Sequence, residues 1–160
     1  MPIDADLEDA YPDDWDDIRA QVLERATRQL PGLDEPTPCC ERCGKPDGHE
    51  VTSRPDGWTL YRDDGLARIR FDTHGDLLDE TWDPIITVPD DTTTVVLTVM
   101  HLCQDPRCDW MSHLRAACQR CHLEYDQQEG QRERRKRIQA EIRGQMSIVG
   151  SSGCPGGRRG

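Results

Sequence analysis

The sequence predicts an α+β fold, a small domain with a β-rich middle, helices on either side and a tail at each end. Three observations predict it. Residues 57–62 and 66–71 alternate apolar and polar side chains around Asp63-Asp64-Gly65, the pattern of a half-buried antiparallel hairpin. Residues 92–100 form the strongest strand signal, a β-branched run through Val95, Val96, Leu97, Thr98 and Val99 that leads to His101. Apolar residues at helical spacing lie before and after this middle.

In chain order, residues 1–17 are acidic and read as a solvated, disordered lead-in, with a DNA-mimicking or partner-binding tail as the sharper alternative. A helix is expected over 16–30, where Trp15, Ile18, Val22, Leu23 or Ala26, and Leu30 share a face. Asp14 or Asp16 would cap it and Pro31-Gly32 would end it. A proline-rich connector then leads to Cys39-Cys40-Glu41-Arg42-Cys43-Gly44. Cys-x-x-Cys-Gly is a knuckle pattern: the glycine permits a tight turn, so that both thiolates reach one metal. Cys40 pairs with Cys43 at this spacing and Cys39 reads as a spare thiol; a Cys39–Cys43 pairing is the alternative. Residues 72–91 read as a loop or a weak extra hairpin.

After the strand and Asp105-Pro106, a helix is expected from Ser112 or Arg115, carrying Cys118-Gln119-Arg120-Cys121-His122 and interrupted at Gly130. Residues 131–143 are helical and basic through Arg132, Arg134, Arg135, Lys136, Arg137 and Arg143, with Ile138 and Ile142 as a thin apolar stripe. Residues 150–160 are rich in glycine and serine and are expected to be disordered, with Cys154 an idle thiol. The chain thus divides into an acidic segment with a short helix (1–35), a central domain (36–128) and a basic helix with a tail (129–160).

Apolar residues make up 34% of the 160 and aromatics 5%, which is lean for a core, so cross-links are expected to help hold it. The eight cysteines are the candidates. No secretory signal and no membrane-length apolar run is visible, so a cytoplasmic monomer away from membranes is expected. In that compartment thiols stay reduced, and paired Cys-x-x-Cys motifs bind zinc rather than form disulfides. Cys40, Cys43, Cys118 and Cys121 together supply the four thiolates of one closed tetrahedral structural zinc site. Cys103 and Cys108, with His101 or His113, are a weaker candidate for a second metal. The net charge of −11 argues against a nucleic-acid protein as an average. The charge is uneven, however, with acids crowding the start and arginines following His122.

Val95-Val96-Leu97-Thr98-Val99-Met100-His101-Leu102, Asp105-Pro106, His113-Leu114-Arg115-Ala116 and Cys118-Gln119-Arg120-Cys121-His122-Leu123-Glu124-Tyr125-Asp126 together resemble the HNH endonucleases, in particular the zinc-stabilised type common in bacteriophages and prophages. The likeness runs from about Cys40 to Asp126 and is most specific in its second half. It implies a ββα-metal, treble-clef-like domain that hydrolyses phosphodiester bonds in double-stranded DNA. It further implies that His101 is the general base, that His113 stands in the place of the family's asparagine, and that His122 ligates a catalytic divalent metal such as Mg²⁺ or Mn²⁺. Phage packaging proteins are partners by likeness alone.

The roles are physically coherent. A neutral imidazole can take a proton from water near neutral pH, and a cation offsets charge building on the phosphate. The chain also departs from the pattern. Met100 stands where many members carry an aspartate ligand, and Cys103-Gln104 replaces an Asn-His or Asp-His pair. Asp105 and Cys108 are candidate substitute ligands. These departures carry a second reading, an HNH-fold zinc protein that binds DNA or protein without cutting. A redox or metal-sensing protein is a third. The basic arm is most simply a solvated helix; beside a nuclease-like helix it becomes an element that tracks phosphates without reading sequence.

Overall fold

A computed structural model of the chain describes residues 9–62, 67–82 and 88–145. The fold is mixed α+β, with one core shared by its parts. Helix α1 (Trp15–Arg25) opens it and buries Ile18 and Val22. Asp14 sits at its N-cap without a side-chain capping bond. The helix ends well before Pro31. Thr27–Arg28 (β1) instead pairs antiparallel with Thr37–Pro38 (β2), and the Cys39 N–H donates to the Ala26 carbonyl at 3.0 Å. Ala26 and Leu30 are buried as the helical pattern suggested. An extended chain satisfies that burial because the backbone groups after Ala26 find partners in the connector rather than in another helical turn.

The middle is a five-stranded antiparallel sheet of order β6-β5-β4-β3-β7. The expected hairpin forms its centre: β4 (Gly57–Tyr61) pairs with β5 (Ala67–Phe71), placing Trp58 opposite Phe71 and Leu60 opposite Ile69. Its Asp63-Asp64-Gly65 turn lies outside the described residues. β3 (Glu50–Arg54) is a strand that the sequence reading did not include; Val51 and Thr52 before the Pro55-Asp56-Gly57 turn were its signal. The weak extra hairpin forms, with β6 (Leu77–Trp82) as the exposed outer strand against β5.

The long strand expected over 92–100 is divided. Thr93–Thr94 (β7) closes the edge of the large sheet beside β3, and Leu97–His101 (β8) belongs to a separate hairpin. Its partner is β9 (Leu114–Cys118), with His101 opposite Leu114 and Leu97 opposite Cys118. This corrects the helix expected from Ser112 or Arg115. Residues 114–118 are extended because Leu114, Ala116 and Ala117 bury themselves while their backbone pairs with β8. Helix α2 (Gln119–Gln127) starts only after Cys118, and α3 (Glu129–Gln145) follows a break at Gln128, two residues before Gly130. Of the thin stripe on α3, Ile142 is buried. The first eight residues of the acidic lead-in, the terminal tail and Cys154 lie outside the described residues. Among the described residues no helix is long and apolar enough to cross a membrane.

Candidate metal centre

Three separate elements bring the four expected cysteines together. Cys40 and Cys43 come from the knuckle, Cys118 ends β9, and Cys121 lies in the first turn of α2. All four are buried, and their sulfurs lie within 4.8 Å of one another. Cys43 Sγ and Cys118 Sγ are 3.7 Å apart. Two ligands on a tetrahedral zinc with bonds of about 2.3 Å should be separated by about 3.8 Å. The cluster can therefore hold a metal such as zinc with little movement.

Local geometry explains the convergence. The Gly44 N–H donates to the Cys40 carbonyl at 2.8 Å, and Gly44 has φ +76°, closing the knuckle. The Glu41 N–H donates to the Ala116 carbonyl at 2.9 Å, and the Glu41 carboxylate accepts from the Ala116 N–H at 2.7 Å and from Arg25 at 2.9 Å. Knuckle, hairpin and α1 are thereby tied together. The indole N–H of Trp58, stacked on Phe71, donates to the Cys43 carbonyl at 2.8 Å and joins the large sheet to the same point. Cys118 and Cys121 sit at the N-terminus of α2, whose dipole favours thiolate. Hydrogen bonds from Cys118, Cys121 and Cys43 hold the Cys40 thiol far below its ordinary value. Hydrogen bonds from the neighbouring cysteines and burial push the Cys43 and Cys121 thiols up in turn, and a bound cation is what would let all four ionise together.

Cys39 stands apart from this group. Its thiol donates to the Thr37 carbonyl at 3.2 Å, and burial pushes its pKa up to about 11. The pairing is therefore Cys40 with Cys43. Gly44 also packs against Gly75, and a Cβ at Gly44 would lie 2.8 Å from the Gly75 Cα. Gly44→Ala should consequently destabilise the zinc-loaded protein by about 1–3 kcal/mol through backbone strain alone. A urea titration that leaves the unfolding midpoint unchanged would exclude this account of the turn.

The three histidines lie along the β8–β9–α2 unit. His101, at the end of β8, is buried; its ring stacks on Trp15 at 5.1 Å, with Tyr11 beyond at 6.0 Å. Its Nε2–H donates to the Cys108 carbonyl at 3.2 Å, which leaves Nδ1 as the acceptor nitrogen. Burial lowers its pKa to about 4, so the ring is neutral at pH 7. His113 closes the loop between the strands and turns Nδ1 to Cys108 Sγ at 3.4 Å. Asp105 is fully buried, and its carboxylate accepts three hydrogen bonds from Arg107, at 2.8–3.0 Å.

His122, in the first turn of α2, meets Thr98 on β8 at 2.8 Å through Nδ1. The Thr98 hydroxyl also lies 3.3 Å from the Ala117 carbonyl. His122 Nε2 lies 3.5 Å from the Asp126 Oδ2. A hydroxyl that donates to Nδ1 leaves the ring hydrogen on Nε2, directed at the carboxylate, and a metal ion bound there would displace that proton and take both groups as ligands. The other Asp126 oxygen accepts from Gln104 at 3.0 Å and pairs with Arg135 of α3. Asp126, Gln104 and Thr98 were not site candidates from sequence, and Arg135 was read as part of the phosphate-tracking arm rather than as a partner of Asp126. The i,i+4 spacing of His122 and Asp126 was the one available signal.

A mixed α+β chain with a buried four-cysteine group able to hold a metal is the class that fold and site define. Comparison with known proteins finds no matching family model, no matching curated protein and no matching solved structure.

Proposed function

We propose that this chain is a metal-dependent endonuclease of HNH type, acting on double-stranded DNA, with a structural zinc in its four-cysteine group. What supports the reading is one arrangement: hairpin β8–β9 runs directly into α2, and this single unit carries His101 at its strand end and His122 on its helix. The order of knuckle, hairpin and helix, with cysteines from the first and last, supports a treble-clef-like reading of the unit. His101 has the features of a general base: it is neutral, and its tautomer is set by the Cys108 carbonyl. His122 Nε2 and Asp126 Oδ2 are spaced as neighbouring ligands of one divalent ion, so Asp126 supplies the carboxylate that Met100 does not. Such an ion would supply charge neutralisation at the scissile phosphate. The chain's own residues orient it: Thr98 fixes the His122 ring, and Gln104 and Arg135 hold Asp126.

A second reading is a DNA- or protein-binding module that has kept the zinc-held fold without the chemistry. Its specific support is that His101 lies beneath Trp15, that Asp126 is already ion-paired, and that Met100 is apolar. Plasmid nicking separates the two. The nuclease reading expects relaxed circles with Mg²⁺ or Mn²⁺ and none with EDTA. Intact supercoils under every divalent metal tested would overturn the nuclease reading.

DNA binding in either reading falls to the exposed side of α3. Arg135 points inward to Asp126 and Gln104, whereas Arg132, Arg134 and Arg137, like Arg143 nearer the end of the helix, are exposed. Replacing Arg132, Arg134 and Arg137 with alanine should weaken duplex binding equally for unrelated sequences and shallow its salt dependence by roughly 0.9 in log–log slope per lost phosphate contact. An unaltered slope would return α3 to a solvated helix.

A further inference from the structure

We propose a second zinc site in the loop between β8 and β9, formed by Cys103, Cys108 and His113. The three donor atoms lie within 4.8 Å of one another, and Cys108 Sγ to His113 Nδ1 is 3.4 Å. A thiolate and an imidazole on one tetrahedral zinc, with bonds of about 2.3 and 2.0 Å, should be separated by about 3.6 Å. The site shares no ligand with the four-cysteine group, and it stands whether or not the protein cuts DNA.

The loop is built to bring these groups together. Pairing of His101 with Leu114, extended by the Leu102 N–H donating to the His113 carbonyl at 2.8 Å, closes its two ends. Inside it, Gln104 takes φ +62°, the sole left-handed non-glycine among the described residues. Such a conformation is costly for a residue with a Cβ and persists where its surroundings over-determine it. Here they do so: the Gln104 side chain donates to Asp126 at 3.0 Å and accepts from Arg135 at 3.1 Å. A second turn follows, in which the Cys108 N–H donates to the Asp105 carbonyl at 3.1 Å while Arg107 clasps the Asp105 carboxylate. A short 3₁₀ turn, Met111–His113, then presents the imidazole. The two turns bring Cys103 and Cys108 to one side, and the 3₁₀ turn brings His113 to meet them.

The donor set selects the metal. Two thiolates and one imidazole suit zinc and are a poor match for magnesium or calcium, which prefer oxygen. Three protein ligands leave one position of a tetrahedron, and this is the composition of an open rather than a closed zinc site. Cys108 is buried, whereas Cys103 and His113 are partly exposed, so the open position lies toward solvent and accepts water or an external ligand. The ion here should exchange more readily than one held by the four buried thiolates.

The test is zinc counting on the thiol-reduced full chain, loaded with Zn²⁺ and freed of excess metal. About two ions per chain are expected, with about one released first to a mild chromogenic chelator. Cys103→Ser and His113→Ala, both at partly exposed positions, should each lower the count to about one and remove the early release phase. Reloading with Co²⁺ gives an independent readout, since Cys103→Ser should lose part of the thiolate-to-cobalt absorbance while the contribution of the four-cysteine group remains. A wild-type count of one that both variants leave unchanged would assign the ion to the four-cysteine group and overturn the second site. A count of one that Cys103→Ser abolishes would keep this site and overturn the structural zinc instead.

Discussion

Cys118→Ser should yield a chain that holds no zinc in the four-cysteine group and lacks a cooperative fold. The site ties the knuckle to the end of β9 and the first turn of α2, which among the described residues are also joined by Glu41's bonds to Ala116, the reach of Arg42 to the Cys121 carbonyl and its ion pair with Glu124. Structural zinc contributes about 10–16 kcal/mol of apparent binding free energy in small zinc domains. A whole domain is stable by only about 5–15 kcal/mol. Losing one of four ligands therefore removes an amount comparable to the entire stability, and with few aromatics in the chain the core has little to replace it. Cys40→Ser should behave alike, while Cys39→Ser should retain zinc, since its thiol bonds only to the Thr37 carbonyl. Zinc content and thermal unfolding, before and after exhaustive EDTA treatment, are the measurements. A wild-type protein that unfolds cooperatively at the same temperature with and without zinc would end the structural role of the cluster.

In the nuclease reading, His101→Ala should lower cleavage by roughly two to four orders of magnitude, the usual worth of a general base. DNA affinity and structural zinc should be unaffected, because the ring touches neither the four sulfurs nor α3. Removing it leaves a cavity under Trp15, so His101→Gln serves as the companion that preserves much of the packing. If both variants cut as fast as wild type, the assigned base is wrong even though the fold stands. His122→Ala should act differently. It frees Asp126 and Thr98 from the imidazole and raises the Mn²⁺ concentration needed for half-maximal cleavage, with partial recovery at high Mn²⁺. In the binding-module reading the wild type cuts nothing, and Met100→Asp with His113→Asn is the pair expected to bring cleavage back, since it returns the acid and the amide of the HNH pattern.

Much of the site was legible in the chain because metal ligation leaves a local signature. Cys-x-x-Cys spacing and a following glycine dictate a turn, and two such pairs imply one tetrahedral ion wherever they meet. The hairpin of β4 and β5 was equally local, written in alternation on both sides of a turn motif. Strand β8 and its terminal histidine followed from β-branched density.

The rest depended on partners far along the chain. Residues 114–118 read as helix because Leu, Arg and Ala favour one, yet pairing with β8 and burial of Ala116 and Ala117 override that preference. The helix over 16–30 lost its last turns to the connector at Thr37–Pro38, a contact that no local pattern announces. Cys39 and Cys40 are adjacent and chemically alike. Spacing favoured Cys40 and kept Cys39 as the alternative, and the pairing of Cys40's neighbour Glu41 with Ala116 turns Cys40, not Cys39, toward Cys118. His122 opposite Asp126, Arg135 turned inward and Cys103–Cys108–His113 around one point are likewise products of long-range packing. Residue types and short spacings specify which chemistry is available; the convergence of side chains from different elements decides where it assembles, because that convergence is set by the shared core and not by neighbours in sequence.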